Sequence, residues 1–493
     1  MWQKMRRVAV RHAMGVAYSS ASVLPAPVRA QVRRVAMWGG RRRPPAIDDW
    51  SEPLIRLTKS PGTSPAGLVS ADGARATPGV VGPVVRPRHA PAPAGAGGPG
   101  LRCLVVTTSL DVGGMEEVVA FLARRLPVHG FRTAVLRVTA SPSARPGGRL
   151  ARMLQSSGVE VDEVSEEGAL GWIQDWHPDV MSAHGPLPGR ILAIAYGAAV
   201  PYVETLHDMR AVYVPDWQAE AERAAKVTAI VAVSEIVRRQ YLARSHDFPP
   251  DRIVTIPNGV DDERRLVADR SGARERLGLT DEYLFAALGR HCVEKNAFGL
   301  VTAFAEVARR RTEAHLVLAG HLQDIRYYRQ VLRLRDSLPC RDRVHLRDHI
   351  AAPATLLAAA DGFVLDSFHE SGPLVSMEAL FAGVPVVLSD VGGAREQIGG
   401  NPARGYLVAN PLGDPLSVTL ESMAAAQYRP QANRDEFAAA MERLIAGRAD
   451  YLANRQQLAA ESAGRFSAGT CLARYAAVLR AAAAEVSPAG LPA

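Results

Sequence analysis

From Leu101 onward, short apolar runs of strand length alternate with segments of helix length, and this alternation constrains the fold more than any other feature of the chain. Strand, crossover helix, parallel strand is the repeat that builds α/β layers. Arg102 to Thr107 reads as a buried strand, Gly113-Gly114 breaks the chain, and Met115 to Leu126 reads as a helix. Strand-like runs recur at Thr133 to Val138, Asp179 to Ala183, Val200 to Thr205, Ile230 to Val233 and Ile253 to Ile256. The charged stretch Asp261 to Glu275 carries no strand signal and reads as an interdomain crossing. A second series follows at Leu284 to Leu288, Leu316 to Ala319, Val344 to Leu346, Phe363 to Leu365 and Val384 to Leu388, and the chain then ends in helices. The expectation is two successive α/β domains facing each other across a cleft, with ligand beyond the carboxyl ends of the strands. No internal repeat of solenoid length is present.

The first hundred residues differ in kind. They hold 15 Lys and Arg against 4 Asp and Glu, whereas the remaining 393 hold 43 against 46, so the formal charge of +8 belongs to the N-terminus. The folded bulk is slightly acidic and would repel a phosphate backbone, so no nucleic-acid partner is expected. Residues 1–57 form a basic arm in which Trp2, Met5, Ala13 and Val16, and again Val28, Val32, Val35 and Trp38, recur at helical spacing among arginines. Such an arm suits an anionic membrane surface; a solvated tail has the same composition. Residues 58–100 are read as a Pro/Gly/Ala-rich disordered linker, since positions 60–100 contain 8 Pro and 9 Gly and no aromatic residue. The remaining boundaries expected are 101–265 and 266–465 for the two α/β domains and 466–485 for a C-terminal helix packing back on the first. Lys4, Arg6 and Arg7 precede a mildly apolar stretch, but Ser19, Ser20, Ser22 and Pro25 interrupt it, against a secretory signal. No run of about 18 apolar residues is long enough to span a bilayer. The four cysteines lie far apart, without zinc or disulfide spacing. A cytoplasmic location, peripheral at the inner membrane face if the arm binds lipid, follows as the expectation.

The chemistry concentrates in Asp361 to Gly393, DGFVLDSFHESGPLVSMEALFAGVPVVLSDVGG. A strand ends in the loop Glu370-Ser371-Gly372-Pro373, Pro373 suits a first helical position, and Gly383 stops the helix. Free N–H groups at that helix start suit a phosphate. Glu378 lies five residues past Pro373, about 7 to 8 Å along a helix axis, so the two carboxylates could accept hydroxyls on either side of a diphosphate. Two ordinary solvated glutamates would read the same way in isolation. A second loop carries Arg290 and Lys295 between a strand and a helix capped by Asn296. Together the two cations could neutralise a diphosphate and stabilise its departure, or simply be solvated. Gly113 and Gly114 would let the first domain's backbone approach a ligand closely. His369-Glu370 is no HExxH zinc site because Pro373 occupies the second histidine's place. P-loop, nucleophile-elbow and Asp-x-Asp motifs are absent from the sequence, and no G-x-G-x-x-G follows a strand to make a dinucleotide fingerprint.

GG after the first strand, PNGV at Pro257 to Val260, GR with EKN at Gly289 to Asn296, and E-x7-E at Glu370 and Glu378 together resemble glycosyltransferase family 4. The resemblance runs from about Leu101 to about Ala482. It implies the GT-B fold, two Rossmann-like domains, and a retaining, metal-independent glycosyltransferase with no cofactor. The implied reaction moves a hexosyl-type sugar from a nucleotide-diphospho sugar to a glycan, lipid-linked or small-molecule acceptor. The resemblance further implies that Glu370 contacts donor-sugar hydroxyls, Glu378 holds the ribose, and Arg290 and Lys295 bind the diphosphate. Gly113 and Gly114 would close over the diphosphate from the first domain, and Gly372, Pro373 and Leu374 would form the phosphate-binding turn. His207 is similar to the histidine that reaches the transferred sugar, His184 looks like a second cleft histidine, and Ile350 sits where the nucleobase is contacted. Three departures stand out: Gly320 is followed by His321 where Gly-x-Gly is common, Leu412 to Asn433 is longer than usual, and Met115 replaces a small residue. A GT-B phosphorylase or nucleotide-sugar epimerase, or a non-catalytic glycan-binding protein, remain alternatives.

Overall fold

The computed structural model describes residues 100–484 except 112, 140–147, 209, 215, 262–268 and 349–352. The basic arm, the linker and Ile350 therefore lie outside the described residues.

The first sheet contains β1 (Leu101–Thr107), β2 (Phe131–Val138), β3 (Glu160–Val164), β4 (Val180–His184), β5 (Tyr202–Leu206), β6 (Ala229–Ala232) and β7 (Ile253–Thr255). Its order is β3-β2-β1-β4-β5-β6-β7, with every pairing parallel. The second contains β8 (Tyr283–Leu288), β9 (Ala314–Ala319), β10 (Val344–Arg347), β11 (Gly362–Leu365), β12 (Val386–Ser389) and β13 (Gly405–Val408), ordered β10-β9-β8-β11-β12-β13 and again parallel. The chain is an α/β protein of two Rossmann-like domains, the GT-B arrangement. Strand order reverses between β1 and β4 in one sheet and between β8 and β11 in the other, and such reversals open a crevice at the carboxyl ends of the strands.

Period-two alternation explains how each central strand feeds two cores. Cys103 and Val105 of β1 pack with helix Gly114–Arg125, while Leu104 and Val106 pack with Trp172 and Ile173 on the opposite face. The C-terminal helix Ala468–Ala483 lies on the first sheet, with Tyr475 and Leu479 in the same cluster as Val203 and Val231. A parallel bridge, Val260 with Ser467, brings it there, and a Cβ on Gly259 would stand 2.8 Å from the Ala468 Cα. The glycine of PNGV is thus needed for close approach.

The long segment 412–433 makes a second connection on the other side. Val418 and Met423 are buried in the first domain's cluster together with Phe368 of the second, and Gln240 donates to the Pro415 carbonyl at 2.6 Å. Two strands carry no alternation in the sequence, and both lie at sheet edges. β3 reads EVDEV, and two of its acidic side chains accept from indole N–H groups, Asp162 from Trp172 at 3.1 Å and Glu160 from Trp176 at 3.2 Å. β13 is four residues long and starts at Gly405, whose backbone lies too close to Val386 for any Cβ. Within the expected crossing, Arg270–Arg276 is a helix.

Candidate active site

Each loop of interest leaves a strand beside one of the two reversals. Gly113-Gly114 follows β1, His184 ends β4, Arg290 and Lys295 follow β8, and Glu370 follows β11. The fold thus gathers residues from distant parts of the chain at one crevice.

On the second-domain side, Lys295 Nζ donates to Glu370 Oε1, which also accepts from Ser367 Oγ at 2.9 Å. Glu370 is buried and Lys295 half-buried. Behind Lys295, Asn296 adopts a left-handed conformation, φ 47°, and caps helix Ala297–Arg310 by accepting from the Gly299 N–H at 3.2 Å. Its amide donates to Asp366 Oδ2 at 3.1 Å, while Asn433 donates to Asp366 Oδ1 at 2.8 Å. Burial outweighs those two hydrogen bonds and pushes the Asp366 carboxyl up to about 8. Arg290 is exposed and donates to Gln323 Oε1.

Pro373 caps helix Leu374–Phe381 and does not occupy its first position; its φ of −65° fits, but its ψ of 119° is extended. Its carbonyl accepts from Gln397 Nε2 at 3.0 Å and from Ser376 Oγ at 3.1 Å. Glu378 lies in the second turn, half-buried. Facing this helix start is the first-domain turn: a Cβ on Gly114 would stand 3.8 Å from Leu374 Cδ1. Glu116, in the first turn beyond Gly114, is pushed up by burial while its own backbone N–H, Ser109 and the charge of Arg290 pull it back.

Two further bonds tie the loops across the crevice: Ser371 Oγ donates to the His207 carbonyl at 2.6 Å, and Asn258 Nδ2 donates to the Gly372 carbonyl at 2.9 Å. His207 is half-buried, and its Nε2 lies 2.8 Å from His184 Nδ1. Burial holds the His207 imidazole down to about 3 and, with His207 beside it, holds His184 well below its ordinary value. Both rings are neutral near pH 7.

Several participants escape sequence reasoning. His369 is buried, its ring 5.5 Å from that of Tyr213 across the crevice, and its Nε2 has no hydrogen-bond partner among the described residues. Gly392, at φ 48°, presses on the Glu370 loop: an added Cβ would stand 2.5 Å from the Ser371 carbonyl oxygen and 2.7 Å from that of Glu370. The VGG following β12 is the signal that could have found it. Among the described residues, no three His, Cys, Asp or Glu side chains group closely enough to hold a metal ion.

Residues 112–264 match the model for Glycosyltransferase Family 4, and residues 269–440 match that for Glycosyl transferases group 1. The chain belongs to glycosyltransferase family 4. This family 4 transferase is 29% identical over 340 residues to the D-inositol 3-phosphate glycosyltransferase of Frankia alni, an alignment covering 61% of this chain and 83% of that one. It is also 29% identical over 288 residues to the glycogen synthase of Mycobacterium tuberculosis, covering 54% and 66% respectively. Among solved structures, Anabaena Alr3699/HepE in complex with UDP and glucose matches the transferase fold with a TM-score of 0.62 at 18% identity, over 77% of this chain and all of that one.

Proposed function

We propose that this glycosyltransferase moves a hexosyl-type sugar from a nucleotide-diphospho sugar to a glycan, lipid-linked or small-molecule acceptor, with retention of configuration and without metal or other cofactor. The observation that carries the reading is the meeting of the Lys295–Glu370 pair with a helix N-terminus, Leu374, directly beneath the Gly114 turn of the opposite domain. A diphosphate seated there would find the Lys295 ammonium, the exposed fork of Arg290 and the N–H groups of the helix start, which no side chain caps. Glu370, held by Lys295 and Ser367, is positioned to accept from sugar hydroxyls, and Glu378 from the ribose. With the leaving group's charge stabilised on these donors, its own oxygen can take the acceptor proton on the face from which it departs. The acceptor would then enter from the first-domain side, past His207.

A thermal-shift panel of UDP-, GDP- and ADP-sugars identifies the donor, because a ligand that binds only the folded state raises the midpoint. Arg290→Ala and Lys295→Ala are each expected to lower turnover of that donor about 100-fold or more. Near wild-type turnover in both variants would reject the assignment, and a rearranged nucleotide sugar in the absence of acceptor would make the protein an epimerase. No helix among the described residues is long and apolar enough to cross a membrane. Residues 1–57 supply the membrane contact in this proposal, at the cytoplasmic face, so their deletion should abolish binding to anionic vesicles; equal binding without them would dispose of that role.

A further inference from the structure

Ser182 and His184 stand two residues apart on β4, hence on one face of the strand, the face covered by helices Gly114–Arg125 and Ala468–Ala483. Both are fully buried. Ser182 Oγ lies 2.9 Å from His184 Nε2, and His184 Nδ1 lies 2.8 Å from His207 Nε2, the rings being 5.1 Å apart at 34°. Gly185, next along, has φ 85°, and a Cβ there would stand 2.8 Å from the Met115 thioether. Met115 thus packs against the end of this strand.

We propose that Ser182, His184 and His207 form a one-way hydrogen-bond chain that fixes His207 as its Nδ1–H tautomer, presenting a donor to a ligand oxygen in the crevice. The direction follows from counting protons. Two neutral imidazoles share a single hydrogen between His184 Nδ1 and His207 Nε2, so one ring donates and the other accepts. A buried hydroxyl needs an acceptor for its hydrogen, and among the described residues Ser182 Oγ has only His184 Nε2. Ser182 therefore donates to His184 Nε2, His184 carries its proton on Nδ1 and donates to His207 Nε2, and the His207 proton is left on Nδ1. That nitrogen has no hydrogen-bond partner among the described residues, and its ring is half-buried at the crevice. The opposite polarity would strand the hydroxyl hydrogen. His184 and Ser182 are positioning residues: they act through His207. The depressed basicity of both rings agrees with a neutral chain. The tautomer is a property of the free protein; only the nature of the oxygen it meets, a sugar hydroxyl, ring or phosphate oxygen, rests on the transferase reading above.

The test is nitrogen NMR on the full chain labelled with 15N-histidine, the His207 signals being assigned by their loss in His207→Gln. Wild-type His207 should show a protonated Nδ1 and a bare Nε2, and Ser182→Ala should shift it toward the other tautomer, with Ser182→Thr restoring the first. A wild-type His207 protonated on Nε2 would overturn the proposal even if no variant folded, and so would a tautomer unmoved by Ser182→Ala. In turnover of the donor found by thermal shift, Ser182→Ala should lower kcat about five- to tenfold, the worth of one hydrogen bond, with KM nearly unchanged and Ser182→Thr recovering most of the loss. Absence of any wild-type nucleotide-sugar turnover would reject the transferase reading while the tautomer measurement still decides the chain.

Discussion

Asp366 shows how a fully buried residue can hold the turn that carries an accessible one. Its carboxyl oxygens each accept from a different asparagine, and one of these, Asn296, caps the helix that begins immediately after Lys295. Above its folded value of about 8, where both carboxylate oxygens are pure acceptors, Asp366→Asn would turn an amide NH2 toward one of those donors and leave it unmatched, at a cost of about 1 to 3 kcal/mol. The unfolding midpoint should fall and donor affinity with it, because the turn holding Lys295 loosens; an unchanged midpoint would show that the pair of asparagines can rotate to compensate. His369 is the converse case. Its Nε2 is buried and has no hydrogen-bond partner among the described residues, so His369→Phe should keep the ring contact with Tyr213 while removing a desolvated nitrogen. Calorimetry should find the variant as stable as the parent or more so, and a drop of several degrees would mean that the nitrogen is satisfied by something bound. The charged residues Arg290, Lys295, Glu370 and Glu378 could be picked from the sequence because they stand at motif-like spacing in two strand-to-helix connections, Glu378 within the helix itself. Asp366 and His369 could not, since their significance lies in burial and in partners 60 or more residues distant, or on the opposite domain.

At the scale of elements, the central strands were legible because they are continuous apolar runs buried on both faces. The edge strands β3 and β13 were not, one because half-exposed acidic side chains serve it well at an edge, the other because it is short and opens on a glycine whose need is set by its neighbour. The same logic makes Gly392 a sharp test. Alanine there must move the Glu370–Ser371 backbone, and it also strains a left-handed φ. Gly392→Ala is expected to lower turnover about tenfold or more while donor-independent folding is largely kept, since a displacement of about 1 Å near the chemistry is costly; normal kinetics would show that the loop yields freely. The segment 412–433 was visible only as extra length. Its apolar side chains reveal what the length does, for Met423 is 2% exposed and packs with the core of the opposite domain. Met423→Ala should lower stability by about 2 to 5 kcal/mol, read from denaturant unfolding.

For the molecule as a whole, acid sensitivity follows from its buried imidazoles. His207 and His345 are held down to about 3 and His369 to about 4, in each case by burial first, and His184 lies well below its ordinary value. The unfolded chain takes up those protons from about pH 6.5 downward while the folded chain refuses them, so each group removes about 1.4 kcal/mol of stability per pH unit of acidification until its folded value is reached. Asp366 works in the opposite sense, because its folded value of about 8 lies above the unfolded one and the folded state holds its proton more tightly. Burial likewise lowers His291 and His315 and raises Glu116 and Asp208, so six imidazoles stand against three carboxyls. The imidazoles leave a net loss, and the unfolding midpoint should drop between pH 6.5 and 5, whereas a flat profile would mean that the rings are hydrated.

The return of helix Ala468–Ala483 to the first sheet has a practical consequence for anyone rearranging the chain. Severed between 262 and 268, the first portion would expose the Val203 and Val231 face that the helix covers, and the second would carry an apolar helix with nothing to lie on. In cut-and-paste terms the half built on the second sheet is an insert housed within the half built on the first. A chimera that exchanges the second domain, and with it donor specificity on the function proposed above, should therefore replace an internal cassette from about residue 269 to 466 and leave the final helix with its own first sheet.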